Sequence, residues 1–399
     1  MLFNIIKQII FILFIFLTFQ VNTFAGQSAD ISKIGTGART LGMGKTFIAI
    51  ADDPSAMFMN PAGLAQVRTP QVISMQANFF NDVNYFTLGG AMPFGPGSIA
   101  LGLNQAYIDD IILTELNEDN RPYEKENVTY FEGIWTLAYG LDISNVVRDI
   151  FHVNFTGEML GGASLKYFQK GVSNLSTGTG TNIDLGLIYM PDNKWNFGIA
   201  YRNILHSYGS LGSIGSINWD TGAQDYLLSY ATIGVAYKIN PRWTIASDYD
   251  IAFTDKRKAL YHLGTEYHFL KNLFVRAGYE QMHDAVGSKT FGNLTFGLTI
   301  DLIEWKIDYA YHPYYELMEN NTHYVSLRYS FGPMTEPKAP EIEVKPEPEP
   351  EPKATLDRAF NLNGQILDNK TNAPVQAKVV IKNAENNSYL GETRSNETG

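Results

Sequence analysis

The stretch from Gly37 to Ala65, GARTLGMGKTFIAIADDPSAMFMNPAGLA, decides the fold of this 399-residue chain. It is apolar and rich in small residues, yet it interrupts itself repeatedly. Three of its glycines permit a positive φ or a close approach of the backbone: Gly37, Gly42 and Gly44. Asp52-Asp53-Pro54 and Asn60-Pro61-Ala62-Gly63 each turn the chain, because proline fixes its own φ and restricts the residue before it. The residues alone leave two alternatives: a segment packed inside a surrounding wall, or a glycine-rich cap at the edge of a soluble sandwich.

After this stretch, apolar and polar side chains alternate from about Pro70 to Phe331. A period of two predicts β-strands rather than helices. We predict fourteen strands, at residues 70–80, 84–92, 97–107, 131–142, 158–169, 181–190, 195–204, 229–239, 242–252, 259–269, 273–281, 291–301, 304–312 and 322–331. Strands of about 9 to 11 residues are long enough to cross a bilayer, and an even number closes an antiparallel sheet without free edges. The predicted fold class is therefore all-β: a 14-stranded antiparallel transmembrane β-barrel, which would enclose the stretch from Gly37 to Ala65 as an N-terminal plug if that stretch is packed inside a wall.

The same alternation predicts the orientation of the strands. The polar faces cannot all turn outward into hydrocarbon, so we expect the apolar face to point out and the polar face to point into the lumen. Connections on the plug side are mostly tight turns, whereas Ile108 to Tyr130 and Leu205 to Leu228 read as long loops at the opposite end. We also expect a helical turn around Val146 to Phe151, within a longer plug-side connection.

The segments GARTLGMG and AIADDPSAMFMNPAGLA resemble the N-terminal plug of FadL-like outer-membrane transport proteins, in particular the PorV/UPF0164-like branch. The resemblance implies that this motif folds into the periplasmic end of a fourteen-stranded barrel. It also implies a bacterial outer-membrane location with the plug and the C-terminal tail in the periplasm, and membrane lipid as a partner. The plug motif comprises Gly37, Arg39, Gly42, Gly44, Asp52, Asp53, Asn60, Pro61 and Gly63.

Two functions follow from the resemblance. FadL-like relatives bind or pass a hydrophobic small molecule, with the plug as a gate. PorV-like relatives are non-enzymatic scaffolds or shuttle components of type IX protein secretion, and secretion or envelope proteins would then meet the periplasmic tail.

The remaining segments set the domain boundaries. Residues 1–25 read as a cleaved signal peptide, because Lys7 precedes an apolar run, Ile9 to Phe19, that is shorter than the roughly 20 residues of a spanning helix. Residues 26–69 form the plug and residues 70–332 the barrel. A proline- and glutamate-rich linker covers residues 333–358. Residues 359–399 resemble an incomplete carboxypeptidase-regulatory-like β-sandwich.

Composition excludes several classes of function. The formal net charge of −11 argues against a nucleic-acid surface, and the absence of cysteine removes thiol chemistry. No nucleophile elbow, phosphate loop or zinc spacing is found, so we predict neither an enzyme nor a cofactor or metal site. His262 and His268 lie on one strand too far apart to share an ion. We expect a hydrated, charge-paired lumen whose polar residues include Arg202, Asp248, His262, Glu266, His268, Arg276, Glu280 and Arg328.

The plug's own charges should be paired inside the lumen, because an unpaired buried charge costs several kcal/mol. We expect Arg39, Asp52, Asp53 and Asn60 to bond inward-facing strand residues such as Arg202, Asp248, Glu266, Arg276 and Arg328. A solvated turn at Asp52-Asp53-Pro54 is the alternative. Apolar ligand contacts are predicted at Phe47, Met57, Phe58 and Met59, since methionine adapts to irregular apolar partners. A ligand arriving from the long loops should meet Met57, Phe58 and Met59 first.

Overall fold

The computed structural model describes residues 31, 34–79, 83–152, 155–205, 215–253, 258–283, 289–313, 321–332, 365–383 and 386–397. The predicted signal peptide at 1–25 and linker at 333–358 lie outside these residues, as does most of the plug sequence before Ile34. The chain divides into two compact units, Met1–Glu336 and Pro337–Gly399.

The first unit is a closed antiparallel barrel, as predicted. Its strands are β1 Gln71–Phe79, β2 Val83–Phe94, β3 Gly97–Leu116, β4 Pro122–Asp142, β5 Glu158–Val172, β6 Ser176–Met190, β7 Trp195–Arg202, β10 Tyr230–Asn240, β11 Trp243–Ala252, β12 Leu260–Leu270, β13 Leu273–His283, β14 Thr290–Leu302, β15 Trp305–Pro313 and β16 Asn321–Ser330. Two short strands, β8 Ser216–Trp219 and β9 Gln224–Tyr226, form a hairpin that pairs with β6. Closure comes from β1, which pairs with both β2 and β16. The barrel therefore has fourteen wall strands and no open edge along its wall.

Alternation places apolar side chains on the outside. In β10, Ile233 is 42% exposed, whereas Thr232 is buried. In β16, Val325 and Leu327 face out while Ser326 and Arg328 face the lumen. The outer surface is therefore a continuous band of apolar side chains.

The barrel has two different ends. The turn end carries the tight connections and the start of β1, and the loop end carries the β3–β4 tip and the β8–β9 hairpin. Three strands begin at the turn end with a tryptophan that is about two-fifths exposed: Trp195, Trp243 and Trp305. Trp195 contacts Tyr237 with ring centroids 4.5 Å apart. This pattern gives the turn end an exposed ring of aromatic side chains.

Short helices build the plug. Helix α1 spans Ala38–Leu41, α2 spans Ala56–Met59, and a 3-10 helix spans Pro61–Gln66. Asn60 starts the 3-10 helix: its side-chain oxygen accepts a hydrogen bond from the Ala62 amide at 3.2 Å, and the following proline has no amide to leave unpaired. The turn-forming sequence thus becomes a compact reversal inside the lumen.

The connections between strands agree with the prediction at one site and differ from it at a predicted long loop. The predicted helical turn is present as α3, Ser144–Phe151. The predicted long loop from Ile108 to Tyr130 is wrong, because β3 and β4 continue through it as a paired hairpin and leave only residues 117–121 as a turn. Ile111, Ile112 and Leu113 supply the β-forming residues that this interpretation overlooked. In the other predicted loop, the described part contains the β8–β9 hairpin.

In the second unit, β17 Lys378–Lys382 and β18 Tyr389–Arg394 form a two-stranded antiparallel sheet. Residues 359–364 and Thr398-Gly399 of the expected sandwich lie outside the described residues. Within the described ranges, no helix has the length and hydropathy needed to span a membrane.

Candidate functional site

The plug lies against the inner wall at a level where the wall carries small residues. Ten inward glycines approach the plug or each other there: Gly89, Gly102, Gly140, Gly162, Gly186, Gly198, Gly234, Gly264, Gly278 and Gly297. Several are direct cross-strand partners, such as Gly140 with Gly162 and Gly264 with Gly278. A Cβ on Gly140 would lie 2.5 Å from the Pro61 carbonyl oxygen. Only glycine therefore lets the plug backbone come so close to the wall.

Apolar packing fills the space between plug and wall. Met43, Phe47, Ile48 and Met57 are completely or almost completely buried, together with wall alanines such as Ala138. Burying one such side chain contributes about 1.5–3 kcal/mol. The expected polar inner face is thus incorrect at this level of the wall, where small and apolar residues dominate. Polar residues lie mainly above and below it.

On the turn-end side, a chain of opposite charges joins plug and wall. Arg328 Nη1 lies 2.6 Å from Asp53 Oδ2, and Asp53 lies 3.6 Å from Arg39. Arg39 Nε lies 3.1 Å from Glu266, which is 2.6 Å from Arg276. Each carboxylate sits between two guanidinium groups. This arrangement pairs each of these buried charges with an opposite charge.

Two plug residues in this row of charges, Asp53 and Arg39, have shifted pKa values. Burial by itself raises the pKa of Asp53, but Arg328, Arg39 and hydrogen bonds from Ser55 outweigh it and lower the pKa below its ordinary value of 3.8. Burial by itself lowers the pKa of Arg39, but Asp52, Glu266 and Asp53 raise it well above its ordinary value. Both groups are therefore held in their charged forms. Asp52 also pairs with Arg39, but its side chain is 46% exposed.

On the loop-end side, wall side chains bond the plug backbone. Asp248 Oδ2 accepts hydrogen bonds from the amides of Phe47 and Ile48, at 2.8 and 3.0 Å. The Nδ1 atom of His262 lies 3.0 Å from the Gly44 carbonyl oxygen, and its Nε2 atom lies 3.3 Å from Asp250. The segment from Gly44 to Ile48 is thereby fixed from one side of the barrel.

Lys45 and His312 extend this second set of contacts. Lys45 of the plug pairs with Glu280, which is also 3.2 Å from His312. Sequence reasoning missed both residues. Lys45 could have been identified from the sequence, because it is a charged residue within an apolar plug segment. His312 falls on the polar face of its strand but carries no distinguishing pattern.

Asn60 is completely buried and joins three parts of the structure. Its side-chain amide donates to the Ile48 carbonyl at 2.8 Å and to the Leu187 carbonyl of β6 at 3.3 Å. Arg202, which was expected to bond the plug, instead donates to the Tyr230 hydroxyl at 2.9 Å. His268, expected only as a polar lumen residue, lies 3.0 Å from the Lys271 carbonyl oxygen at the turn end.

A cavity of about 270 Å³ lies on the loop-end side of the plug. Its lining is amphipathic and includes Lys45, Met59, Arg202, Asp248, His262 and Glu280. Of the predicted apolar contacts, Met59 lines this cavity. Met57 and Phe58 instead pack towards Gly89 and Gly102 of the wall, and Phe47 lies in the plug core. Among the described residues, no group of three or more His, Asp or Glu side chains is placed to hold a metal ion.

The opposite side of the lumen combines an apolar cluster with buried charges. Ile31 and Ile34 belong to the cluster, together with Tyr85, Phe168 and Tyr324. The Tyr85 hydroxyl donates to the Gly35 carbonyl at 3.3 Å, so the chain entering the plug lies along this side. Next to Phe168, Lys166 forms a buried ion pair with Asp184 at 2.8 Å.

Solved structures of other proteins have a similar fold. The barrel is similar to the toluene transporter TodX of Pseudomonas putida, with a TM-score of 0.52, 14% identity, and coverage of 76% of this chain and 99% of that chain. It is also similar to the toluene transporter TbuX of Ralstonia pickettii, with a TM-score of 0.50, 13% identity, and coverage of 75% and 99%. A Pseudomonas aeruginosa FadL homologue superposes with a TM-score of 0.45 at 13% identity, covering 77% of this chain and 100% of that chain. At these identities the likeness to TodX and TbuX establishes a shared fold.

Sequence comparison adds one partial match. Residues 154–250, less than half of the chain, match the family model described as F plasmid transfer operon, TraF, protein. No curated protein matches the chain.

Proposed function

We propose that this protein is a FadL-like outer-membrane barrel that binds or passes a hydrophobic small molecule, with residues 34–67 as its closure. The observation that carries the proposal is the combination of a closed barrel, an apolar outer surface and a plug packed within its lumen. An apolar outer surface is what a barrel in lipid requires. Closure of the sheet is also required, because lipid cannot hydrogen-bond to unpaired strand edges. The shared fold with TodX and TbuX, described as toluene transporters, supports the same class of ligand.

The lumen supports passage of an apolar compound along one side. Tyr85, Phe168 and Tyr324 form a buried aromatic cluster, and the amphipathic cavity lies on the loop-end side of the plug. A hydrophobic molecule gains about 25 cal/mol for each Å² of apolar surface removed from water. The aromatic cluster would supply that surface when the segment packed on it, which includes Ile31 and Ile34, moves aside.

Passage requires the plug to shift, and its attachments are compatible with a shift. Hydrogen bonds, ion pairs and contacts with small wall residues hold it, and the chain has no cysteine. Met43 and Met57 can adjust their shape to new apolar partners. The plug therefore acts as a reversible closure rather than as a permanent part of the wall.

A disulfide lock tests this function. The Ser326 hydroxyl accepts a hydrogen bond from the Ala38 amide at 3.1 Å, so cysteines at these two positions lie close together. The Ala38→Cys, Ser326→Cys protein, reconstituted in liposomes, should take up labelled toluene when reduced and lose uptake when oxidised. The Ser326→Cys single variant controls for oxidation itself.

Uptake that persists in the fully oxidised double variant would contradict gating by the plug. Absence of uptake in every reduced sample would contradict transport, and would leave the non-enzymatic scaffold of type IX secretion, suggested by the PorV/UPF0164 resemblance, as the better interpretation. In that case the tail beyond residue 332 would be the segment that meets secretion partners.

A further inference from the structure

The β3–β4 hairpin extends beyond its neighbours at the loop end. Pairing of β2 with β3 ends at Asn84 and Tyr107, and pairing of β4 with β5 ends at Tyr130 and Val172. Beyond these pairs, residues 108–128, called the arm below, pair only between β3 and β4 among the described residues. At about 3.4 Å per residue, the arm projects by roughly 25 Å.

The arm is well formed to its tip. The Asn117 side-chain oxygen accepts hydrogen bonds from the amides of Asp119 and Arg121, at 3.0 and 2.9 Å. The Tyr123 hydroxyl donates to Glu115 of the facing strand at 3.1 Å, and Lys125 pairs with the same carboxylate. Such local bonds favour a persistent hairpin, although two strands alone are marginally stable in water.

Among the described residues, no strand pairs with either long edge of the arm. Exposed strand edges readily pair with another chain, and folded proteins usually cover or interrupt them. The arm also exposes large apolar side chains, with Ile112 at 52% and Leu116 at 64%. An edge of this length with exposed apolar side chains is suited to strand addition by a partner.

Charge selects the kind of partner. The arm contains seven acidic residues and two basic ones, a net charge of −5: Asp109, Asp110, Glu115, Glu118, Asp119, Glu124 and Glu126 against Arg121 and Lys125. Two arms would repel each other, which disfavours pairing between copies of this chain. Anionic phosphate surfaces are disfavoured for the same reason. A basic polypeptide segment, by contrast, is attracted to the acidic arm.

We propose that the arm is a docking site for an extended basic segment of another protein, which adds to its edge as a third strand. The backbone edge supplies hydrogen bonds, Ile112 and Leu116 supply apolar contacts, and the carboxylates select lysine and arginine. This inference concerns the loop end alone and does not depend on transport through the lumen.

Peptide binding to the full protein in detergent tests it. The probe is a peptide of about nine residues with alternating lysine and valine, a typical strand length. The control peptide has the same charges but is N-methylated at alternate residues, which removes the amides needed for strand pairing. We expect the unmethylated peptide to bind at least about tenfold more tightly, to protect the amides of residues 111–116 from hydrogen exchange, and to weaken as salt rises.

Two protein variants complete the test. Replacing residues 110–127 by Asn-Gly closes a short hairpin and should abolish peptide binding. Because that deletion is large, a second variant keeps the arm. Glu124→Gln, Glu126→Gln should weaken peptide binding, whereas Asp192→Asn at the opposite end should not. Equal binding of the two peptides, unchanged binding by the shortened protein, or self-association through the arm would each overturn the proposal.

Discussion

Asp53 of the plug and Arg328 of β16 form a buried ion pair at 2.6 Å, although 275 positions separate them in the chain. Arg328 lies on the last wall strand, which also closes the barrel by pairing with β1. The ion pair therefore connects the plug directly to the strand that closes the barrel.

Removing the Asp53 charge should loosen the plug strongly. In Asp53→Asn, Arg328 and Arg39 lose a shared carboxylate within the lumen, and breaking a buried pair typically costs about 3–5 kcal/mol. Hydrogen exchange of the plug amides should rise accordingly. Asp52→Asn is the matched control, because the half-exposed Asp52 side chain should change exchange by no more than about 1 kcal/mol. Similar exchange in the two variants would show that the Asp53 pair does not hold the plug.

The same residue predicts an acid response. Because the folded-state pKa of Asp53 lies below its ordinary value of 3.8, its ionisation stabilises the seated plug above that pH, and the stabilisation is lost as pH falls through the folded-state pKa. Plug amide exchange should therefore increase below about pH 3.8 in the native protein. Asp53→Asn should lack this component of the response. An identical acid profile for both proteins would assign the response to other carboxylates.

Wall glycines should be intolerant of even one methyl group. Gly140→Ala places a Cβ 2.5 Å from the Pro61 carbonyl oxygen, so either the plug or the wall must move. Gly90→Ala is the control, since its Cβ would lie 3.5 Å from the nearest neighbouring atom, the Gln71 carbonyl oxygen, and would meet no plug atom. We expect plug exchange to increase in Gly140→Ala by an amount equivalent to about 1–3 kcal/mol, as for overpacked cores, and to change little in Gly90→Ala. Equal effects would mean that the glycine contacts are not limiting.

Some features were predictable from local sequence and others required the closed barrel. The period of two fixed the fourteen strands because one side chain in two faces outward, as Ile233 does. The set of inward-facing wall glycines around the plug was not predicted. Gly140, Gly162 and Gly186 are far apart in sequence and become neighbours only through strand register. Arg39, Asp53 and Asn60 carried a usable signal, as polar residues within an apolar segment. His312 carried none, since its role depends on Glu280 of another strand.

Within the loop-end attachment, the Asp248 carboxylate accepts hydrogen bonds from two plug amides. Asp248→Leu keeps a similar side-chain size but removes the acceptor for the Phe47 and Ile48 amides, and an unsatisfied buried amide costs about 1–3 kcal/mol. Asp248→Asn retains one acceptor oxygen and is the matched control. We expect exchange at these two amides to rise sharply in Asp248→Leu and much less in Asp248→Asn, while the Asp53 region stays protected, because the charge chain at the turn end is separate. If Asp248→Leu released the whole plug, the two attachments would form one cooperative unit. If it changed neither amide, Asp248 would not be the group that fixes this segment.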